Sequence, residues 1–304
     1  MPRPTQEDRT VTKPRVFIFD FDGTLTDAEE EGMPFTAGYL DDLAALTGAG
    51  HEEIEALAEC FADAIGPDDG WVFQGQIVAP ACVDPYLRIM PVARRILDHY
   101  GMFLNPHDRE QLLDRILYKY NYGKSATVFR VGASGLLSRL PRDTTWVVTN
   151  SATEPVERKV RDLGVQTLRD AGITNISNTM NPMGWLKGRV VGNAKKYAND
   201  PDWKTERVPA EMQIPGLDRP ILLRRRLYFE TLNRLRREAD VKWPDITVVG
   251  DIFELDLALP LHRGARVVLM ANEHTPDYEV RYLKEHPNAS VVRSIPELRT
   301  FLDI

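Results

Sequence analysis

The sequence predicts an α/β fold: a parallel sheet covered by helices, with a helical block inserted after the first strand. Three observations predict it. Short apolar runs of strand character recur at Val16–Phe19, Thr145–Val148, 246–249 and 265–270. Stretches of helical period separate most of them, the alternation expected when helices cross over between parallel strands. The exception is the interval 27–124, which carries helical stripes and little that reads as strand.

Taken in order, the first strand, Val-Phe-Ile-Phe, is a short apolar run of strand character. Within 27–124, three stripes recur at helical spacing. They are Ile54, Leu57, Phe61 and Ile65; Ala93, Ile96, Leu97 and Tyr100; and Leu112, Leu113, Ile116, Leu117 and Tyr120. They predict a separate helical lid, with Gly32 and Gly123 near its ends as joints or simple turn glycines. Val156, Val160 and Leu163 mark a later helix. Leu227, Tyr228, Thr231, Leu232 and Leu235 mark another, which leads into the strand at 246. Residues 290–292 are a weaker strand candidate. The segment 197–220 holds Pro201, Pro209, Pro215 and Pro220 and few apolar residues, so it reads as an extended loop. A loop of that length in a compact domain fits a functional or interface role, or equally a mobile surface excursion.

Composition bounds the function. A chain of 304 residues, 43% apolar and 27% charged, has material for a sizeable core and fits two domains. A net charge of -7 argues against nucleic acid or an anionic membrane as the main partner. Cys60 and Cys82 lack metal-ligand spacing and read as ordinary thiols of a reducing compartment. The six histidines form no close pair. Residues 1–13 are polar, and no apolar run approaches the roughly 18 residues of a membrane span. A cytoplasmic protein is expected; its oligomeric state is not legible.

The chemistry is concentrated where the first strand ends. Val16-Phe17-Ile18-Phe19 runs into Asp20-Phe21-Asp22-Gly23-Thr24. In an open parallel sheet, ligands bind just beyond the carboxyl ends of the strands. A carboxylate placed there can attack phosphorus and form an acyl phosphate. Because carboxylate and phosphate repel, a divalent cation has to screen them. Asp22 has the reach to protonate a leaving oxygen and then to deprotonate water, and Gly23 permits a sharp turn beside the ligand.

This segment resembles the first motif of the haloacid dehalogenase superfamily, a strand ending in Asp-x-Asp-Gly-Thr, and further motifs of that family follow in order. Trp146-Val147-Val148-Thr149-Asn150-Ser151 supplies a strand ending in Thr, and Thr247-Val248-Val249-Gly250-Asp251 with Asp256 supplies the acidic pair. The resemblance implies a Rossmann-like core at 1–26 and 125–304 and a helical cap at 27–124. It implies an Asp20 nucleophile and an Asp22 acid and base. Gly23, Thr24, Asn150 and Ser151 would lie around the phosphate, with Thr149 holding an oxygen. Asp20, Asp22, Asp251 and Asp256 would form a Mg²⁺ site, an ion that favours oxygen ligands.

The family lysine has two candidate places, Lys195 or Lys196 after 190–191, and the run Arg224, Arg225, Arg226; neither has the family's lysine-proline pair. The dehalogenase branch lacks the second aspartate, so Asp22 implies phosphoryl chemistry on a small phosphorylated metabolite. Mutase, phosphonatase and silent binding readings remain open. In such families the cap selects the substrate, which draws attention to Arg88, Lys119, Asn121 and Lys124, although ordinary surface roles compete for each.

Overall fold

Residues that are apolar on both strand faces must be covered on both sides, and the alternation of side chains sorts them into two layers. The computed structural model, which describes residues 15–121, 127–174, 180–205 and 207–304, has this arrangement. Strand β1 (Val16–Phe19) sends Val16 and Ile18 into one buried layer and Phe17 and Phe19 into the other. It pairs in parallel with β4 (Thr145–Val148) on one side and β8 (Ile246–Gly250) on the other.

The six-stranded order is β10-β9-β8-β1-β4-β5, every pair parallel, with β5 at Val190–Val191, β9 at Arg266–Met270 and β10 at Ala289–Val292. The strand at 290–292 is thus an edge strand. The first layer is closed by α7 (Arg226–Glu238), α8 (Ala258–His262) and α9 (Asp277–Glu285). The second is closed by α5 (Ala133–Leu137), α6 (Thr153–Asp170) and α10 (Ile295–Leu302). Helices cover both faces, so the fold is a Rossmann-like α/β core. Leu227, counted in the apolar stripe of α7, is exposed. Among the described residues no helix is long and apolar enough to cross a membrane.

Between β1 and β4 run α1 (Ala28–Thr47), α2 (His51–Asp63), α3 (Pro85–His99) and α4 (Pro106–Asn121). All four contribute to one buried cluster that includes Phe35, Tyr39, Ile54, Val92, Ile96 and Leu113. Asp27 caps α1 by accepting the Glu30 N–H, and Asp84 caps α3 by accepting those of Tyr86 and Leu87.

Two expectations fail in this interval. It holds an antiparallel hairpin, β2 (Gly70–Phe73) and β3 (Gln76–Pro80), turning on Gln74 and Gly75, both with positive φ. Gly32 is not a joint but lies within α1, where an added Cβ would fall 2.5 Å from Pro85. Gly123 lies outside the described residues. The described residues of the proline-rich stretch are irregular apart from β6 (Glu211–Met212), which pairs with β7 (Ile221–Leu222).

Candidate active site

The chain leaves β1 for one side of the sheet and returns to the other, so β1 and β8 flank a switch point where ligands bind beyond the strand ends. Asp20 follows β1, Thr149 follows β4, Lys196 follows β5 and Asp251 follows β8. The Asp20 N–H continues the ladder to the Val249 carbonyl at 2.8 Å, which fixes the first aspartate level with the end of β8.

Carboxylate oxygens of Asp20, Asp251 and Asp256, all buried, lie within 4.8 Å of one another. Lys196 Nζ reaches Asp20 Oδ1 at 2.5 Å and Asp256 Oδ1 at 2.8 Å. Asp256 Oδ2 accepts the Ile252 N–H at 3.1 Å, so both of its oxygens are tied to the protein. Thr24 Oγ1 donates to Asp251 Oδ1 at 3.1 Å. Asp256 rides on a π-helical turn, Phe253–Leu257, the kind of helix irregularity that recurs at functional sites.

Glycines make the crowding possible. Gly23 has φ +75°, and a Cβ there would sit 2.1 Å from Asp251 Oδ2; one on Gly250 would meet Asp256 at 2.4 Å.

Electrostatics fit a cation. Three carboxylates against one ammonium leave an excess of negative charge in a buried place, which is costly unless compensated. Burial pushes the Asp20 carboxyl up to about 7, with the charges of Asp256 and Asp22 adding to the rise and Lys196 opposing it. Burial, then Asp256 and Asp20, hold Asp251 well above the carboxylate range. Burial alone would lower the Lys196 ammonium, but Asp20 and Asp256 outweigh it and raise it. The all-oxygen donor set suits a hard divalent ion.

Asp22 departs from expectation. Its carboxylate is not in the three-carboxylate group but accepts from Ser151 Oγ at 2.6 Å and Thr149 Oγ1 at 3.4 Å, partly exposed. Expected as a fourth metal ligand beside Asp20, Asp251 and Asp256, Asp22 is turned instead toward the hydroxyls that follow β4. Lys159 Nζ lies 3.9 Å from both Asp22 Oδ1 and Glu31 Oε1.

Of the lysine candidates, Lys196 is the one on Asp20, while Lys195 is exposed. Arg224 donates to the Pro201 carbonyl and Arg226 to Glu230; Arg225 is fully buried among backbone carbonyls. Asn150 accepts the Lys196 N–H at 2.8 Å, a scaffolding contact rather than one aimed at a ligand.

Sequence reasoning missed Arg130, whose guanidinium donates twice to the Gly23 carbonyl, and Arg219, which clamps Glu254 at 2.6 and 2.8 Å. No local motif marks either. Arg88 bonds Glu29 and His274, and Lys119 bonds Asp42, so both cations are engaged by the protein itself. Lys124 lies outside the described residues, as does the Asn121 side chain.

The haloacid dehalogenase-like hydrolase family model matches residues 14–198, more than half of the chain. The chain belongs to that family. The hydrolase is similar to the magnesium-bound crystal structure of the HAD-hydrolase YfnB from Bacillus subtilis. Identity is 17%, coverage 96% of this chain and 100% of that one, and TM-score 0.44. A predicted phosphoglycolate phosphatase from Haemophilus somnus gives 13%, 96%, 99% and 0.49. A 2-haloacid dehalogenase from Pseudomonas syringae gives 16%, 95%, 98% and 0.39. No curated protein matches the sequence.

Proposed function

We propose that this hydrolase is a Mg²⁺-dependent phosphatase that cleaves a small phosphorylated substrate through a phosphoryl-aspartate on Asp20. The observation that carries the reading is the pairing of two carboxylates with different surroundings. Asp20 is buried against Lys196, and Asp22, two residues on, is hydrogen-bonded by Ser151 and reaches solvent. Displacing halide from carbon needs a nucleophile but no proton donor for the leaving group; expelling an alkoxide from phosphorus needs both.

In this reading an Asp20 oxygen bonds to phosphorus while the bond to the leaving oxygen breaks, and Asp22 gives that oxygen its proton. Asp22 then takes a proton from water as the water oxygen bonds to phosphorus, and the Asp20–phosphorus bond breaks to free phosphate. Lys196 holds the nucleophile in place and offsets charge on the phosphoryl group. Asp20 and Asp251 would hold the ion, with Asp256 supporting, and bound Mg²⁺ would supply charge screening and polarisation of the phosphoryl oxygens. Residues 27–124 would act as the cap over this site. The experiment is phosphate release from p-nitrophenyl phosphate with Mg²⁺. Activity abolished in Asp20→Asn supports the covalent route; full turnover by that variant, or halide release from a haloacid without phosphatase activity, sinks it.

A further inference from the structure

Arg225 sits between β7 and α7 and is the largest fully buried side chain among the described residues. Its guanidinium donates to three carbonyls from three segments. Nε donates to Leu222 at 3.0 Å, in its own turn; Nη1 to Lys196 at 2.5 Å; and Nη2 to Val78 at 2.8 Å, in strand β3 of the hairpin. Burial lowers the guanidinium to about 10, still far above neutral, so it remains a cation. The nearby carboxylates of Glu254 and Asp256 favour the charge, but among the described residues all of its hydrogen bonds go to backbone carbonyls, so the guanidinium serves to tie three segments together.

The segment it holds needs an outside tie. Asn193 and Lys195, neither a glycine, have φ of 53° and 47°, so the turn that delivers Lys196 inward is not one the backbone prefers. Asn150 fixes the N–H side of Lys196 and Arg225 fixes its carbonyl side. Immediately after, Tyr197 packs against the rings of Trp71 and Phe73, with centroids 4.9 and 4.8 Å away, on the same hairpin that offers the Val78 carbonyl. The hairpin therefore meets the Lys196 segment at two points.

We infer that Arg225 is a positioning residue for the reaction, locking the Lys196 backbone to the β2–β3 hairpin so that the ammonium is delivered to Asp20. The inference rests on the reading of Lys196 as the group that steadies nucleophile and phosphate.

The test uses the full chain with Mg²⁺ and p-nitrophenyl phosphate. Arg225→Ala loses about 100-fold in kcat, the scale of a small misplacement of a reacting group, while KM moves by less than about threefold. Millimolar guanidinium, which can occupy the vacated space, recovers part of kcat in Arg225→Ala and none in Lys196→Ala. A wild-type kcat in Arg225→Ala, or a loss that guanidinium leaves in place, overturns the inference. Should Arg225→Ala fail to fold, Arg225→Lys keeps the buried charge with poorer reach. A kcat loss at unchanged KM in that variant supports positioning, and a wild-type kcat overturns it. Full activity in Lys196→Ala brings down the reading of the site itself, whereas wild-type turnover in Arg225→Ala alone removes only the role of Arg225.

Discussion

The ammonium of Lys196 lies 2.5 Å from Oδ1 of Asp20, with the lysine side chain 1% exposed. An ion pair this deep is held by geometry, and removing one partner leaves charge without compensation. Lys196→Met is expected to destabilise the metal-free protein by about 3–5 kcal/mol at pH 8. The loss is smaller at pH 5, where the carboxyls take up protons. Urea unfolding at the two pH values measures both, and an equal loss at each contradicts the pairing.

The raised carboxyls make cation binding proton-linked. Asp20 titrates near 3.8 in an unfolded chain and at about 7 in the fold. Between those values the folded form holds a proton that the unfolded form has lost. The group's contribution to stability therefore falls as pH rises from about 4 to about 7. Asp251 shifts in the same direction. Mg²⁺ competes with those protons, so the gain in Tm on adding it grows from pH 5 to pH 8. A gain independent of pH counts against a site built on these carboxylates.

The core sheet was legible because its strands are apolar on both faces, and the proposed nucleophile because a carboxylate two residues from another follows such a strand. The choice between Lys195 and Lys196 was not. It depends on two left-handed residues, Asn193 and Lys195, neither of them a glycine, and the neighbouring Gly192 does not say which lysine the turn delivers inward. The hairpin hid for a related reason: its turn is Gln74-Gly75 rather than the Asn-Gly or Asp-Gly that signals a tight hairpin, and its strands are four and five residues long. The seat of the Asp22 carboxylate was equally hidden, since it is set by Ser151 and Thr149, more than a hundred residues away.

That seat has its own consequence. If Asp22 protonates the leaving oxygen, Asp22→Asn slows substrates with poor leaving groups most and those with acidic leaving groups least. Ser151→Ala, which removes the 2.6 Å hydrogen bond to Asp22, shows the same trend more weakly, by about 10-fold in kcat. A series of aryl and alkyl phosphates reads out both variants. Uniform slowing across the series assigns Asp22 a role in binding instead.

Gly23 offers a test in which geometry and strain separate. Its φ of +75° disfavours any side chain, and an added Cβ would fall 2.1 Å from Asp251 Oδ2. Gly48 has nearly the same φ, +72°, but nothing within 4 Å of the added atom. Both alanine variants carry the backbone strain, about 1–3 kcal/mol. Only Gly23→Ala must also push Asp251 from its place, and a displaced carboxylate weakens Mg²⁺ binding by about 10–100-fold. Titrating Mg²⁺ against Tm for the two variants isolates the second effect. Equal Mg²⁺ affinity in both would mean that Asp251 is not holding the ion.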